Sequence, residues 1–180
     1  MTGKEKSARL SNIAREALKL SALMSDVILG ELQKDENNVP CPFNGYYWSL
    51  SHKPELVAAV VSKQKIGIDI EEVMPRHESV FLRTACEAEW ALSGDRSWIT
   101  FFRYWTAKEA VLKAAGTGIT ELKACHVISV PDENHMVLHY QDRCFTVEQL
   151  YYSNHIVSVI NEDDDIQWNI IKDSVHLRNV

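Results

Sequence analysis

Four cysteines are all the chain contains, and they stand far apart: Cys41, Cys86, Cys125 and Cys144. No Cys-x-x-Cys pair occurs, so the zinc and dithiol motifs are excluded. Thiols scattered in this way are expected to be reduced and mostly buried in a cytoplasmic protein. Also lacking is an apolar run near the roughly 18 residues of a membrane span. The longest clear run is Leu56 to Val61, which suits a buried strand. No positively charged start leads into an apolar stretch, so no signal peptide is expected. An excess of positive charge is missing too. The net charge of −6 argues against nucleic acid as a partner. It also excludes whole-molecule attraction to an acidic partner, so any steering must come from a local patch.

Two regions are locally basic. Residues 1–30 carry Lys4, Lys6, Arg9, Arg15 and Lys19, and residues 103–123 carry Arg103, Lys108, Lys113 and Lys123. The opposite charge concentrates at Glu162-Asp163-Asp164-Asp165, expected to be a solvated turn or tail. Hydrophobic residues make up 46% of the 180 positions, enough core for one domain or two small fused halves.

Periodicity predicts helices over 7–30, 77–93 and 97–115. It predicts strands near 46–50, 55–61, 65–71, 124–130, 135–140, 143–150 and 154–160. Asp132-Glu133-Asn134 and Gln141-Asp142 fit hairpin turns. The closing segment from Ile166 is a candidate edge strand. Helix, strands, helices, strands is an α+β order.

Two segments carry chemistry. In Ile66-Gly67-Ile68-Asp69-Ile70-Glu71, isoleucines alternate with other residues, as in a strand. Asp69 and Glu71 then share a face, roughly 7 Å apart at a rise of about 3.3 Å per residue. Two carboxylates so placed suit a hard divalent cation. A solvated edge strand offers the same pattern, but Gly67 adds nothing to a solvated face. In a strand, glycine often marks close approach of a ligand or another backbone. The second segment is Trp105-Thr106-Ala107-Lys108-Glu109-Ala110-Val111-Leu112-Lys113, closed by Gly116-Thr117-Gly118-Ile119. Trp98, Phe101, Phe102, Trp105 and Leu112 give a helical apolar stripe, and the glycines give its stop. Glu109 and Lys113 are i,i+4 neighbours on one face. A plain surface ion pair is the alternative reading.

These residues resemble the 4′-phosphopantetheinyl transferases of the Sfp type. That family's signature is a G-[IV]-D-x-E strand, a W-[ST]-x-K-E-[AS]-x-x-K helix and a G-x-G-[IL] exit, all found here in order. Upstream, Trp48-Ser49-Leu50-Ser51-His52 resembles the family's S-[IL]-S-H motif, and Ala14-Arg15-Glu16-Ala17-Leu18-Lys19 its arginine-bearing first helix. The resemblance covers roughly residues 8–160. It implies transfer of the phosphopantetheine arm of coenzyme A to a serine of an apo acyl or peptidyl carrier protein, with Mg²⁺ or Mn²⁺, releasing adenosine 3′,5′-bisphosphate. It implies Asp69, Glu71 and Glu109 as metal ligands and Lys113 as a phosphate contact. Ser51 and His52 match coenzyme A phosphate contacts. Arg15 matches an arginine near the 3′-phosphate, and Lys108 the lysine before the metal-binding glutamate. Glu89 matches a glutamate in the helix after the acidic strand.

The chemistry is consistent with those residue types. Attack on a pyrophosphate needs its charge neutralised and the attacker held in line. A divalent cation would act as Lewis acid and template. Glu109, directly or through a water on the metal, is the candidate base.

The family fold implied is two similar α+β halves about a pseudo-twofold. Here residues 1–62 would be an abbreviated first half and 63–180 the second, with the site between them and a monomer or dimer as the assembly. The chain departs from the family in its short front end. It also lacks the Gly-Lys-Pro before the serine-histidine motif, where Asn38-Val39-Pro40-Cys41-Pro42 stands instead. A coenzyme A or nucleotide binder without transferase activity is the alternative function, and a non-enzymatic interaction protein is a third.

Overall fold

The chain opens with α1 (Gly3–Met24), on which Ala14, Leu18 and Ala22 recur every fourth residue and are buried, forming one apolar stripe. The computed structural model describes residues 3–161 and 166–172. The acidic run Glu162–Asp165 and the end of the closing segment lie outside the described residues. The helix expected over 7–30 starts earlier and stops well short of residue 30. Asp26 takes a positive φ of 53°, and the Val27 N–H reaches back to the Ala22 carbonyl at 2.8 Å. Val27 is thereby folded against Leu18 and Ala22 in one apolar cluster.

Strands β1 (Tyr47–His52) and β2 (Val57–Ser62) form an antiparallel hairpin. Strand β2 is apolar on both faces because both are covered. Ala59 and Val61 pack in the α1 cluster, while Ala58 and Val60 pack on the larger core. This is the pattern of a strand sandwiched between layers rather than one with a wet side. On β1, Trp48 and Leu50 join the α1 cluster, which turns Ser49 and Ser51 to the opposite side.

The main sheet has five antiparallel strands in the order β3-β7-β6-β5-β4. These are β3 (Ile68–Glu72), β4 (His126–Ser129), β5 (His135–Tyr140), β6 (Arg143–Tyr152) and β7 (His155–Ile160). The last strand, β7, pairs directly with the first, β3, setting Asp69 opposite Ser158. The outer side of β3 lies against the hairpin, where the Ile68 N–H donates to Ser49 Oγ at 3.1 Å. Both expected hairpin turns form. Asp132 Oδ1 accepts from the Asn134 and His135 amides, and Gln141 turns with φ 53°. The described part of the closing segment, 166–172, forms no strand. It is tethered by a side chain instead, the Trp168 indole donating to Glu148 Oε1 at 2.6 Å.

Helix α4 (Trp98–Ala115) crosses β3 and β7. Ser97 caps its start, accepting from the Thr100 amide at 3.2 Å, and Gly116 ends it with φ 74°. Its core face carries a polar seam, with Thr106 Oγ1 sharing a 2.6 Å hydrogen bond with Ser158 Oγ. The Gln149 amide donates to the same Ser158 oxygen. The single helix expected over 77–93 is broken. A 3-10 turn at Glu78–Val80 leads into α2 (Phe81–Thr84), and α3 (Glu87–Ser93) follows. Between the two, Ala85 is extended at φ −150°, ψ 157°. That break lets the Trp90 indole bond the Ala85 carbonyl at 3.1 Å and stack on Tyr104 at 4.8 Å.

Only one of the four thiols, Cys125, is buried, and burial pushes it up to about 12. Cys86 and Cys144 are exposed, the first at the start of α3 and the second beside a hairpin turn, so the expectation of mostly buried thiols is corrected. Among the described residues no helix is long and apolar enough to cross a membrane.

Candidate active site

Strand alternation sends Gly67, Asp69 and Glu71 to the α4 side of β3, while Ile66, Ile68 and Ile70 face the core. Gly67 is the point of closest approach. A Cβ there would lie 1.9 Å from the Ala110 carbonyl oxygen of α4, so only glycine admits the helix. Of the two approaches that a strand glycine marks, ligand or backbone, the one present is backbone. The contact spans Ala110 and Ala114, and the residues just before these two, Glu109 and Lys113, are one helical turn apart on the same side of α4. The Lys113 ammonium donates to Asp69 Oδ1 at 2.7 Å and to the Ile68 carbonyl at 3.0 Å.

Three carboxylates and two ammonium groups share this corner. Lys53, just past β1, pairs with Glu71 Oε1 at 2.7 Å. Glu109 has no ion-pair partner among the described residues. Burial, then Asp69, push its carboxyl up to about 7, with Glu71 adding to the rise against Lys113 and Lys53. Burial also raises Glu71, against the pull of the Lys53 hydrogen bond. Asp69 Oδ2 is buried with no hydrogen-bond partner.

Ser51 is part of the same corner, because its hydroxyl donates to Asp69 Oδ1 at 2.9 Å. In this state it orients the carboxylate, and it would have to rotate to meet a phosphate. His52 is half-buried at the end of β1, paired in register with Val57. Arg15 is half-buried on α1, and no ion pair among the described residues joins it to the carboxylates.

Lys108 differs from the sequence expectation. It is wholly buried, and its ammonium pairs with Glu89 Oε1 at 2.6 Å and donates to the Thr84 carbonyl at 2.6 Å. A residue next to Glu109 on a helix points about 100° away, here into the core rather than the site. Glu89 is the partner that explains it. Glu89 Oε2 caps α3 by accepting from the Cys86 amide, and Oε1 also accepts from the Val127 amide. Burial pushes Glu89 up, but Lys108 and those two amides outweigh it and the net shift is downward. This pair is structural.

Lys113 also lines a cleft of about 440 Å³ between the 34–40 loop, Trp48 and Ser49 of β1, and Gly116 to Gly118. A larger cavity, about 940 Å³, lies between α1, β2 and the opposite face of β3. Its lining is mainly apolar and excludes the three carboxylates, so its size says nothing about chemistry.

Among the described residues no group of three or more His, Cys, Asp or Glu side chains stands in metal-ligating geometry. Asp69 and Glu71 are each paired with a lysine. Their donor set nonetheless fits a hard divalent cation. The oxygens are carboxylate, as such ions prefer. One is orphaned in the interior, and Glu109 is held up by burial and then by its acidic neighbours. A cation would relieve both stresses.

Comparisons with known proteins bear on the site. The family model of the 4′-phosphopantetheinyl transferase superfamily matches residues 65–169, a stretch that holds Gly67, Asp69, Glu71, Glu109 and Lys113 and leaves out Arg15, Ser51, His52 and Lys53. The chain is similar to the 4′-phosphopantetheinyl transferase HetI of Nostoc sp., 35% identical over 97 residues, covering 50% of this chain and 41% of that protein. It is also similar to the 4′-phosphopantetheinyl transferase psf-1 of Bacillus pumilus, 32% identical over 103 residues, 55% of this chain and 44% of the relative. A Bacillus subtilis 4′-phosphopantetheinyl transferase matches at 25% over 100 residues, 53% of this chain and 45% of that one. The chain thus spans less than half the length of these curated relatives.

Proposed function

The chain belongs to the 4′-phosphopantetheinyl transferase superfamily, and from that premise we propose that it transfers the 4′-phosphopantetheine arm of coenzyme A to a serine of an apo carrier protein, in a reaction dependent on a divalent cation. The observation that carries this reading is the convergence of Asp69, Glu71 and Glu109 with Lys113 on one face, with Asp69 Oδ2 buried and unpartnered. Burying an unpaired polar atom costs about 1–3 kcal/mol, a cost that a cation on Asp69 would remove.

Asp69, Glu71 and Glu109 would hold Mg²⁺, or Mn²⁺ with the same oxygen preference. The bound ion would supply Lewis-acid neutralisation of the pyrophosphate. Lys113 trades Asp69 for a non-bridging phosphate oxygen, and the cleft beside it receives part of coenzyme A. Ser51 and His52, at the neighbouring end of β1, contact a phosphate. The carrier serine oxygen attacks the β-phosphorus of coenzyme A. A phosphorus–oxygen bond forms there, the pyrophosphate linkage breaks, and adenosine 3′,5′-bisphosphate leaves. The serine proton passes to Glu109, directly or through a water; among the described residues it is the carboxylate of the three without a lysine at ion-pair distance. Arg15 is assigned to the 3′-phosphate. Lys108 has no role at the phosphates in this reading. We further read residues 1–62 and 63–180 as the two halves of a pseudo-twofold unit, the first abbreviated. The two separate apolar clusters, one under α1 and one under the main sheet, are compatible with it.

The test is the intact mass of an apo carrier protein after incubation with this protein, coenzyme A and Mg²⁺. A gain of about 340 Da, the mass of one phosphopantetheine arm joined through phosphate, that disappears with chelator is expected. Coenzyme A binding with no mass gain on several unrelated carriers would reduce the protein to a binder.

A further inference from the structure

Lys53 belongs to none of the motifs that pointed to this site, yet its ammonium stands 2.7 Å from Glu71 Oε1. Its backbone amide donates to the Leu56 carbonyl at 2.8 Å, so the hairpin turn anchors the base of the side chain. The rest is a flexible four-carbon stem carrying a compact charge. Its side chain is 31% exposed against 13% for Glu71, so the lysine is the more open of the two to solvent. With Asp69, Glu71 and Glu109 ionised against Lys53 and Lys113, the corner carries one surplus negative charge. The two lysines differ. Lys113 also holds the Ile68 carbonyl, and its helix keeps it at the phosphate cleft. Lys53 holds Glu71.

A doubly charged ion on the Glu71 carboxylate would stand within a few ångströms of the Lys53 ammonium. A dication and an ammonium at that separation repel strongly at a protein surface, so the two cannot share the acid. The side chain with an open flank is the one able to leave. Loading the ion also turns the surplus negative charge into a surplus positive one, which favours an anion at the same corner.

We propose that Lys53 holds Glu71 as a placeholder cation in the metal-free protein, yields it when the divalent ion enters, and then contacts a phosphate oxygen of coenzyme A. This rests on the transferase reading above for the identity of the anion. The exchange couples the two ligands: metal entry frees the charge that the phosphate uses, and the metal alone competes with an internal cation.

The two halves predict opposite signs for one substitution. In Lys53→Met, Mn²⁺ alone, followed by electron paramagnetic resonance of the free ion, is expected to bind about fivefold tighter than in the wild type, the scale of a partly exposed ion pair. Coenzyme A titrated calorimetrically at saturating Mg²⁺ is expected to bind about fivefold weaker or worse. Lys53→Arg keeps both affinities near wild type. Lys53→Gln repeats the test should the methionine variant unfold. Unchanged or weaker Mn²⁺ binding in the charge-removing variants overturns the placeholder, and unchanged coenzyme A binding overturns the phosphate contact. A wild type that binds no coenzyme A would instead overturn the transferase reading and the phosphate half with it, while the metal arm still reads Lys53 by itself.

Discussion

Replacing Gly67 by alanine is the sharpest perturbation of this architecture. The added methyl group would sit 1.9 Å from the Ala110 carbonyl oxygen and 2.9 Å from the Ala114 amide nitrogen. Those two atoms are partners in one i to i+4 helical hydrogen bond, so α4 cannot yield at one atom alone. Ordinary contact begins near 3.4 Å, and the helix must therefore back away by roughly 1.5 Å at that turn. It has little room to do so, since Ala107, Ala110, Val111 and Leu112 are fully buried. Overpacking typically costs about 1–3 kcal/mol, and a clash with backbone belongs at the top of that range.

The same retreat carries Glu109 away from the strand and pulls Lys113 from its 2.7 Å contact with Asp69 Oδ1 and its 3.0 Å contact with the Ile68 carbonyl. A misplacement of about 1 Å can cost about 10²-fold in rate. Urea unfolding should thus show Gly67→Ala destabilised by about 3 kcal/mol, and carrier mass spectrometry should show transfer slowed by about two orders of magnitude. Gly45→Ala is the internal comparison. Its Cβ meets nothing within 4 Å, but φ is +80°, so the loss is the backbone strain of about 1 kcal/mol with transfer intact. A Gly67→Ala protein within about 0.5 kcal/mol of wild type and equally active would refute the idea that this contact sets the distance between α4 and β3.

Glu109→Gln should stabilise the metal-free protein. A carboxyl raised from 4.5 to about 7 opposes folding by up to about 3 kcal/mol at roughly 1.4 kcal/mol per unit, less the screening by solvent. The penalty is absent below 4.5, grows as pH rises towards 7 and is constant above. Melting in chelator at pH 8 should show the gain and at pH 4.5 should not; a gain independent of pH contradicts the cause assigned. Lys108→Met strands the Glu89 carboxylate and should cost about 3–5 kcal/mol in urea unfolding, while the double variant Lys108→Met, Glu89→Gln loses less. Because Glu89 is shifted down, its contribution is present above 4.5 and lost as pH falls through its lowered value, so the Lys108→Met deficit should shrink in acid. Asp69→Asn should abolish the Mg²⁺-induced thermal shift and slow transfer by about 10²-fold or more; retention of both would remove Asp69 from the metal set.

Much of the site was legible because single elements impose simple directions on their side chains. Period two on β3 joined Asp69 to Glu71, the i,i+4 rule joined Glu109 to Lys113, and Gly67 pointed to close approach of a ligand or another backbone. Two features escaped. Helices α2 and α3 were merged because no glycine or proline separates them. Their break is signalled only by Cys86 and Glu89 in the places of a capping box, a pattern usually begun by serine or threonine. Lys108 was placed at the phosphates because it precedes Glu109, although neighbours on a helix diverge by about 100°. Its target, Glu89, lies on another helix.

By itself the sequence determined the α+β order, the strand and helix that present the acids, and the stop after Lys113, since each follows from hydrogen-bond periodicity and backbone freedom within a few residues. Only the tertiary structure decided that Ser51 points at Asp69, that Lys53 holds Glu71, that Asp69 keeps an unpartnered oxygen and that Lys108 is sealed in the core. Those pairings join separate elements, and charges meet across elements only where packing and burial bring them, which no local period records.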